Sequence, residues 1–281
     1  MSEKAESVPY TTEVYDSSQR PHPIVEEFHA LIHYNELILQ SISRAIKTRY
    51  KRSALGVLWT MLNPLLMMVV LTVVFSQIFR FSVEHYPVYI LCGIVIWNFY
   101  SGSTSGAMGE MLWSGELLTR IYVPKSIFTV SSIGTGLLNL LLSLIPLFLI
   151  SIALGVPITP ALLVTPLAIL ILTGFALGMG LLLSTITVFF ADMLPVYEVI
   201  LRIWFYATPI IYPLEIVPER LLWLIKLNPM YYMVELFRQP LLNGTVPELN
   251  YWLIAAGSAL LSLIVGSIVF TSKSNDYAYR L

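Results

Sequence analysis

Charge is scarce in this 281-residue chain: Asp, Glu, Lys and Arg make up 12% of it, 57% is hydrophobic, and the mean hydropathy is +0.76. Soluble domains carry roughly a quarter charged residues, so water is excluded as the main solvent. Cysteine is scarcer still. The one thiol, Cys92, rules out a disulfide framework. The four histidines (His22, His29, His33, His85) lie outside the apolar runs and share no His/Cys spacing that would hold a metal. The net charge of −1 excludes the basic patch that nucleic acid requires. There is no G-x-x-x-x-G-K-[ST] loop for nucleotide phosphates, and no H-E-x-x-H or G-x-S-x-G signature of a hydrolase. No catalytic residue is assigned, and no cofactor is expected on this chain.

What remains is segregated. Residues 53–79, 86–109, 126–191 and 249–272 contain no Asp, Glu, Lys or Arg. A helix needs about 20 mostly apolar residues to cross a bilayer, so each run is long enough and the third holds two spans. That third run divides at Gly155-Val156-Pro157-Ile158-Thr159-Pro160, whose glycine and prolines predict a turn between two antiparallel helices. Pro64 should kink the first span, at about 56–79, because an interior proline removes a helical hydrogen bond. The second, at about 86–107, ends in small residues. Gly102 with Gly106, and Gly174 with Gly178 in the fourth, have the small-xxx-small spacing that lets backbones approach closely. A fifth helix is predicted over about 194–206 and a last span over about 250–271. Between them Pro209, Pro213, Pro218, Pro229 and Pro240 cut the chain into pieces too short to cross. Region 207–240 therefore reads as a re-entrant, external helical pair, since irregular backbone at membrane depth needs protein or a watery cavity around it.

The fold class is thus all-α integral membrane, with six transmembrane helices. A polar tail occupies 1–23 and an amphipathic interface helix 24–52. The transmembrane domain covers 53–275, and a short tail 276–281. In the amphipathic helix Leu31, Ile38, Ile42 and Ile46 recur on one face, with Arg44, Lys47 and Lys51 about half a turn away. It suits the membrane surface or a partner. The first apolar run starts too late and runs too long for a cleavable signal, and should stay as an anchor. Arg44, Lys47, Arg49, Lys51, Arg52, Arg120, Lys125, Lys273 and Arg280 fall on one side of the six-span arrangement, so the positive-inside rule places both termini in the cytoplasm.

Three sets of residues are candidates for function. Glu198 and Arg202 sit at i, i+4 in the fifth helix. Intramembrane charges usually face a bundle interior, a cavity or each other, and a mutual ion pair is the plainer reading. The loop LWSGELLTRIYVPKSIF (112–128) mixes charge with Trp113, Leu117, Leu118, Ile121 and Tyr122, which suits a docking surface. Trp97, Phe99, Tyr100, Phe189, Phe190, Trp204, Phe205, Tyr206 and Tyr212 supply aromatic faces that bind sugar rings, although aromatics also form interfacial belts and simply pack. Too few buried ionisable groups are present for an ion-coupled carrier, which favours energy from a separate ATPase.

Five segments carry a family likeness: RAIKTRYKRSALGVLWTMLNPLL (44–66), YPVYILCGIVIWNFY (86–100), IYVPKSI (121–127), TPIIYPLEIVPERLLWLIKLNPM (208–230) and VELFRQPLLNG (234–244). In order, over about 35–275, they resemble the membrane subunit of bacterial ABC transporters of the type-2 export class. More closely, they resemble the polysaccharide and polyol-phosphate exporters, including O-antigen, capsule and teichoic acid permeases. The resemblance implies a homodimer joined to two cytoplasmic ATPase subunits, which hold the ATP and magnesium, exporting a lipid-linked glycan across the cytoplasmic membrane. It implies ATPase contact by the amphipathic helix (Arg44, Lys47) and by the loop with Leu118, Arg120, Tyr122, Pro124 and Lys125. It further implies an external gate after Pro209 and a channel lined by the aromatics. A type-2 permease for a drug or simple lipid is the alternative within transport, and a membrane enzyme or assembly scaffold the alternative outside it.

Overall fold

The computed structural model describes residues 23–77, 84–113 and 123–277, and every regular element among them is helical. All but the last residue of the tail expected over 1–23, the loop with Arg80, the loop residues Leu118, Arg120 and Tyr122, and the last four residues lie outside the described part.

Two helices, α1 (Pro23–His33) and α2 (Asn35–Arg49), replace the single amphipathic helix expected over 24–52. They part at Tyr34, whose φ of −93° and ψ of 24° leave helical geometry. The two faces are as the periodicity predicts: Leu31, Ile38, Ile42 and Ile46 are half-buried, whereas Arg44, Lys47 and Lys51 are exposed. Ile42 rests on α5 (Ser126–Ala153) at Gly134, where a Cβ would collide with the isoleucine side chain.

Helix α3 (Leu58–Gln77) contains Pro64, as expected. Proline has no N–H to offer the Thr60 carbonyl one turn back; the Ser143 hydroxyl of α5 lies 3.3 Å from Thr60 O, and its one proton is shared between that carbonyl and Asn139 O at 2.8 Å. The 28-residue α4 (Tyr86–Trp113) is the centre of the molecule. It runs beyond the expected end near 107 and is buried along its length, with Ile90, Leu91, Ile96, Tyr100 and Met108 fully inside. Helices α3, α5, α6 (Thr165–Phe189), α7 (Met193–Ala207) and α9 (Pro229–Arg238) all pack against it. The turn expected at 155–160 joins α5 to α6, and Gly155 takes a φ of +79° there. The proline-rich region folds into two 3₁₀ turns (Leu214–Ile216, Glu219–Leu221), the short α8 (Leu222–Leu227), α9 and a π turn (Gln239–Asn243). This is the pair of short helices that the proline spacing predicts. Last comes α10 (Leu249–Lys273).

Four segments are long and apolar enough to cross a membrane: Leu58–Phe75, Ser126–Ala153, Pro160–Phe189 and Leu249–Lys273. Helix α4 has the length, but Asn98, Ser101, Ser103 and Thr104 dilute its hydropathy, and α7 has 15 residues, short of the roughly 20 that a perpendicular crossing takes.

The tightest helix crossing joins α6 to α10. A Cβ on Gly178 would fall on the backbone of Ser262 and Leu263, and one on Gly266 would fall on the Gly178 carbonyl. Ser262 Oγ adds a hydrogen bond to Phe175 O at 3.3 Å. Small residues at such crossings give helices in lipid the close packing that substitutes for a hydrophobic drive. Of the pair expected in the second span, Gly106 takes Ser132 of α5, but Gly102 faces open space instead of a neighbour. At the end of the described residues Tyr277, within the short tail expected over 276–281, is completely buried against Phe270 and Phe189, and its hydroxyl bonds Thr185 at 2.6 Å.

Gly178→Leu should lower the thermal unfolding midpoint in detergent, because overpacking at a rigid crossing costs about 1–3 kcal/mol or more. Gly257→Leu, at a glycine on the same α10 with nothing within 4 Å, should leave the midpoint unchanged. Equal midpoints for the two variants would show that the crossing contributes nothing.

Candidate functional site

The aromatic candidates do not share one fate. Trp97, Tyr100, Trp204 and Phe205 are brought together, but as a packed cluster. Ring centroids lie 5.3 Å apart for Tyr100 and Trp204, 5.6 Å for Trp97 and Phe205, and 6.0 Å for Trp97 and Trp204. Phe175 stacks on Tyr100 from the far side at 5.4 Å. With Trp97 and Tyr100 buried, packing rather than an open aromatic track accounts for this group: edge-to-face pairs are worth about 0.5–1.5 kcal/mol each beyond the area buried. Phe99, also buried, edges a separate polar cavity. Phe189 packs on Tyr277. Phe190 and Tyr206 are open, each 67% exposed, and Tyr212 donates to Tyr206 O at 3.0 Å.

Beside the aromatic cluster α7 ends and the chain turns through Thr208-Pro209-Ile210-Ile211-Tyr212. The carbonyls of this strap have no helix to join. Tyr86 donates to Ile211 O at 2.7 Å and Tyr89 to Tyr212 O at 2.9 Å. Arg238 donates to Pro209 O at 2.9 Å and Ile210 O at 3.3 Å, pairs with Glu235 at 3.0 Å, and lies flat over the Tyr89 ring, 3.7 Å from its centroid. Gly93 makes room for this, since a Cβ there would strike both Ile210 and Arg238. Asn228 secures the other end. Its amide donates to Thr208 Oγ1 at 2.8 Å, and its oxygen accepts from Trp204 Nε1 at 2.8 Å and from Met230 N at 3.0 Å, which caps α9. Glu84, Glu215, Glu235, Tyr231, Tyr251 and Asn243 surround a cavity of about 690 Å³ next to Arg238. Sequence reasoning missed this clasp: it placed Arg238 only within a short helix of the external re-entrant pair. The available signal was an i, i+3 acid–base pair on a helix bracketed by Pro229 and Pro240.

Of the residues assigned to ATPase contact, Arg44 and Lys47 are exposed, whereas Pro124 is buried and Lys125 half-buried. Lys125 turns inward. Its ammonium donates to Ser274 O at the end of α10 and sits 5.2 Å from the Tyr277 ring centroid. Desolvation lowers its pKa from the ordinary lysine value, and the negative charges of Glu27 and Asp276 partly offset this. Glu27 of α1 accepts the Ser126 N–H at 3.1 Å, a carboxylate at the positive end of α5. One knot thus ties α1, the start of α5 and the end of α10.

Glu198 and Arg202 form no ion pair with each other. Both are exposed on α7, on a face that also shows Val199, Ile203 and Tyr206. The described residues include no group of three His, Cys, Asp or Glu side chains able to hold a metal.

The comparison with known proteins is consistent along the chain. Residues 36–242 match the family model for the ABC-2 type transporter. The chain is 28% identical over 250 residues to an O-antigen export system permease protein of Myxococcus xanthus, covering 88% of this chain and 96% of that protein. It is 27% identical over 246 residues to a polysialic acid transport protein of Escherichia coli, covering 82% and 90%. To a capsule polysaccharide export inner-membrane protein of Neisseria meningitidis it is 22% identical over 259 residues, covering 87% and 96%.

The clasp makes a testable demand. Arg238→Met should destabilise the protein by about 3 kcal/mol, at the lower end of the cost of breaking a buried pair, because Glu235 is only partly buried and keeps its bond from Gln239. Arg238→Met combined with Glu235→Gln should recover part of that loss. The measurement is the unfolding midpoint in detergent, and a double variant no more stable than the single would mean that Glu235 is solvated rather than paired.

Proposed function

Because the chain belongs to the ABC-2 type transporter family, we propose that it is the permease subunit of an ATP-driven exporter that moves a lipid-linked polysaccharide across the bacterial cytoplasmic membrane. The observation that carries this reading is similarity along nearly the whole length of relatives named for export of O-antigen, polysialic acid and capsule polysaccharide. Four helices long and apolar enough to cross a membrane support it independently.

In this reading α3, α4, α5, α6, α7 and α10 are the six spans. Both termini are cytoplasmic, and α8 and α9 form an external re-entrant gate under the strap. Two ATPase subunits, which bind ATP and magnesium, dock on the exposed basic face of α2 and on the loop before Pro124. Their closure pushes on the knot of Glu27, Lys125 and Ser274, which passes the push to α5 and α10 together. A second copy of the chain completes the permease. It covers α7, where Glu198 and Arg202 would find each other across a two-fold axis rather than along one helix. Charges on an otherwise apolar span need such partners. Phe190, Tyr206 and Tyr212 are the predicted path residues that remain accessible to a polymer.

Deleting the gene should abolish surface display of the glycan while its lipid-linked precursor accumulates inside, and plasmid-borne protein should restore display. Unchanged display in the deletion strain would remove the export function. Arg44→Glu with Lys47→Glu should leave the unfolding midpoint intact but lower co-purification of the ATPase and its stimulated hydrolysis by about tenfold, since each like-charge contact at an interface costs on the order of 1 kcal/mol or more. Normal recovery of the complex would remove α2 from the docking surface. Glu198→Arg should split the dimer in light-scattering measurements, and adding Arg202→Glu should restore it. Dimers unaffected by either change would place the axis elsewhere.

A further inference from the structure

Apart from the main hydrophobic core, a second and smaller one lies at the end of the bundle where α4 closes and α5 opens. It is made of Met111 of α4, Leu181 and Val188 of α6, Phe270 of α10 and Tyr277 beyond it, with Phe189 packed against them. Tyr277 is fully buried and makes a different contact on each side. Its ring meets Phe270 edge-on at 5.5 Å between centroids and Phe189 at 6.3 Å. The Thr185 hydroxyl spends its proton on Leu181 O at 2.8 Å, so in the 2.6 Å bond between the two side chains Tyr277 donates and Thr185 accepts. The ammonium of Lys125 sits 5.2 Å from the Tyr277 ring centroid. Beside this core the hydroxyls of Thr129 and Ser184, 3.3 Å apart, add a tie between α5 and α6.

The places of these residues in the chain matter. Met111 stands just before α4 ends at Trp113, and Lys125 stands immediately before α5 begins at Ser126. What joins them in sequence is the loop that the proposed function puts against the ATPase. Both roots of that loop are therefore held at one small core, by a side chain from the far end of the chain. A loop whose roots were free to move apart would answer a push by changing its own shape. Close-packed side chains are nearly incompressible and pass strain on, so a push on roots packed together reaches whatever else shares the core. Here that is the ends of α6 and α10.

From this geometry we infer that Tyr277 is a positioning residue for energy coupling: it joins both roots of the ATPase-contact loop to the ends of α6 and α10, so that these four helix ends move as one. Without it the ATPase still docks and still cycles, but its stroke is spent within the loop. The inference rests on the export reading and on its docking loop, and adds the residue that decides whether hydrolysis becomes movement of the spans.

The test separates hydrolysis from export. Each variant is purified with its ATPase in nanodiscs, to measure recovery of the complex and its rate of ATP hydrolysis, and is expressed in the deletion strain, to measure glycan stained on intact cells. Tyr277→Leu keeps an apolar side chain in the core. It should leave complex recovery and hydrolysis unchanged and lower display roughly tenfold, because the ring contacts and the hydroxyl bond are lost together. Thr185→Val keeps the shape of the side chain and removes the acceptor, and should lower display about threefold to fivefold, as expected for one hydrogen bond. Thr185→Ser should restore it. If Tyr277→Leu does not accumulate, the two Thr185 variants decide. Wild-type display in either Tyr277→Leu or Thr185→Val would overturn the inference. So would hydrolysis or complex recovery falling in proportion to display, which would make Tyr277 a structural residue only. Failure of the export reading itself would show separately, as normal display in the deletion strain without plasmid.

Discussion

Backbone carbonyls that have lost their helix must find donors inside a membrane domain, where water is not available to supply them. The strap after α7 presents four in a row, at Pro209, Ile210, Ile211 and Tyr212. Two tyrosines at the start of α4 and one buried arginine on α9 satisfy them. The consequences reach far from the strap. Tyr86 and Tyr89 fix the position of α4, around which the other helices pack. Asn228 fixes the start of α9 and holds the Trp204 indole, which in turn organises the aromatic cluster. The four carbonyls thus set the arrangement of α4, α7 and α9 together.

Much of the fold was legible in the sequence, because the signals that matter for spans are local. Uncharged runs gave α3, α5, α6 and α10, the turn at Gly155 to Pro160 separated α5 from α6, and five prolines marked out α8 and α9. The periodicity of Ile38, Ile42 and Ile46 picked the buried face of α2 correctly. What was not legible depends on residues distant in the chain. Lys125 looks like a docking residue in its own heptapeptide, and its half-buried contacts with Ser274 and Tyr277 arise only when α10 brings them beside it. Arg238 looks like an external charge until Pro209 and Tyr89 surround it. Trp97 and Trp204 look like a conduit until α4 and α7 press them together. Glu198 and Arg202 have pairing spacing, yet a spacing states only that two side chains can meet.

The backbone contact between Gly178 and Gly266 has a mechanical meaning as well. Two helices joined without intervening side chains have no soft layer in which to slide, so α6 and α10 act as one double-width strut. The knot of Glu27, Lys125 and Ser274 is fastened to the end of that strut. In the proposed export cycle, a load applied there would pass through the Gly178–Gly266 contact without a layer of side chains to absorb it. In the same cycle α3 and α7, whose outward sides are little covered by the rest of the chain, would be the helices free to move.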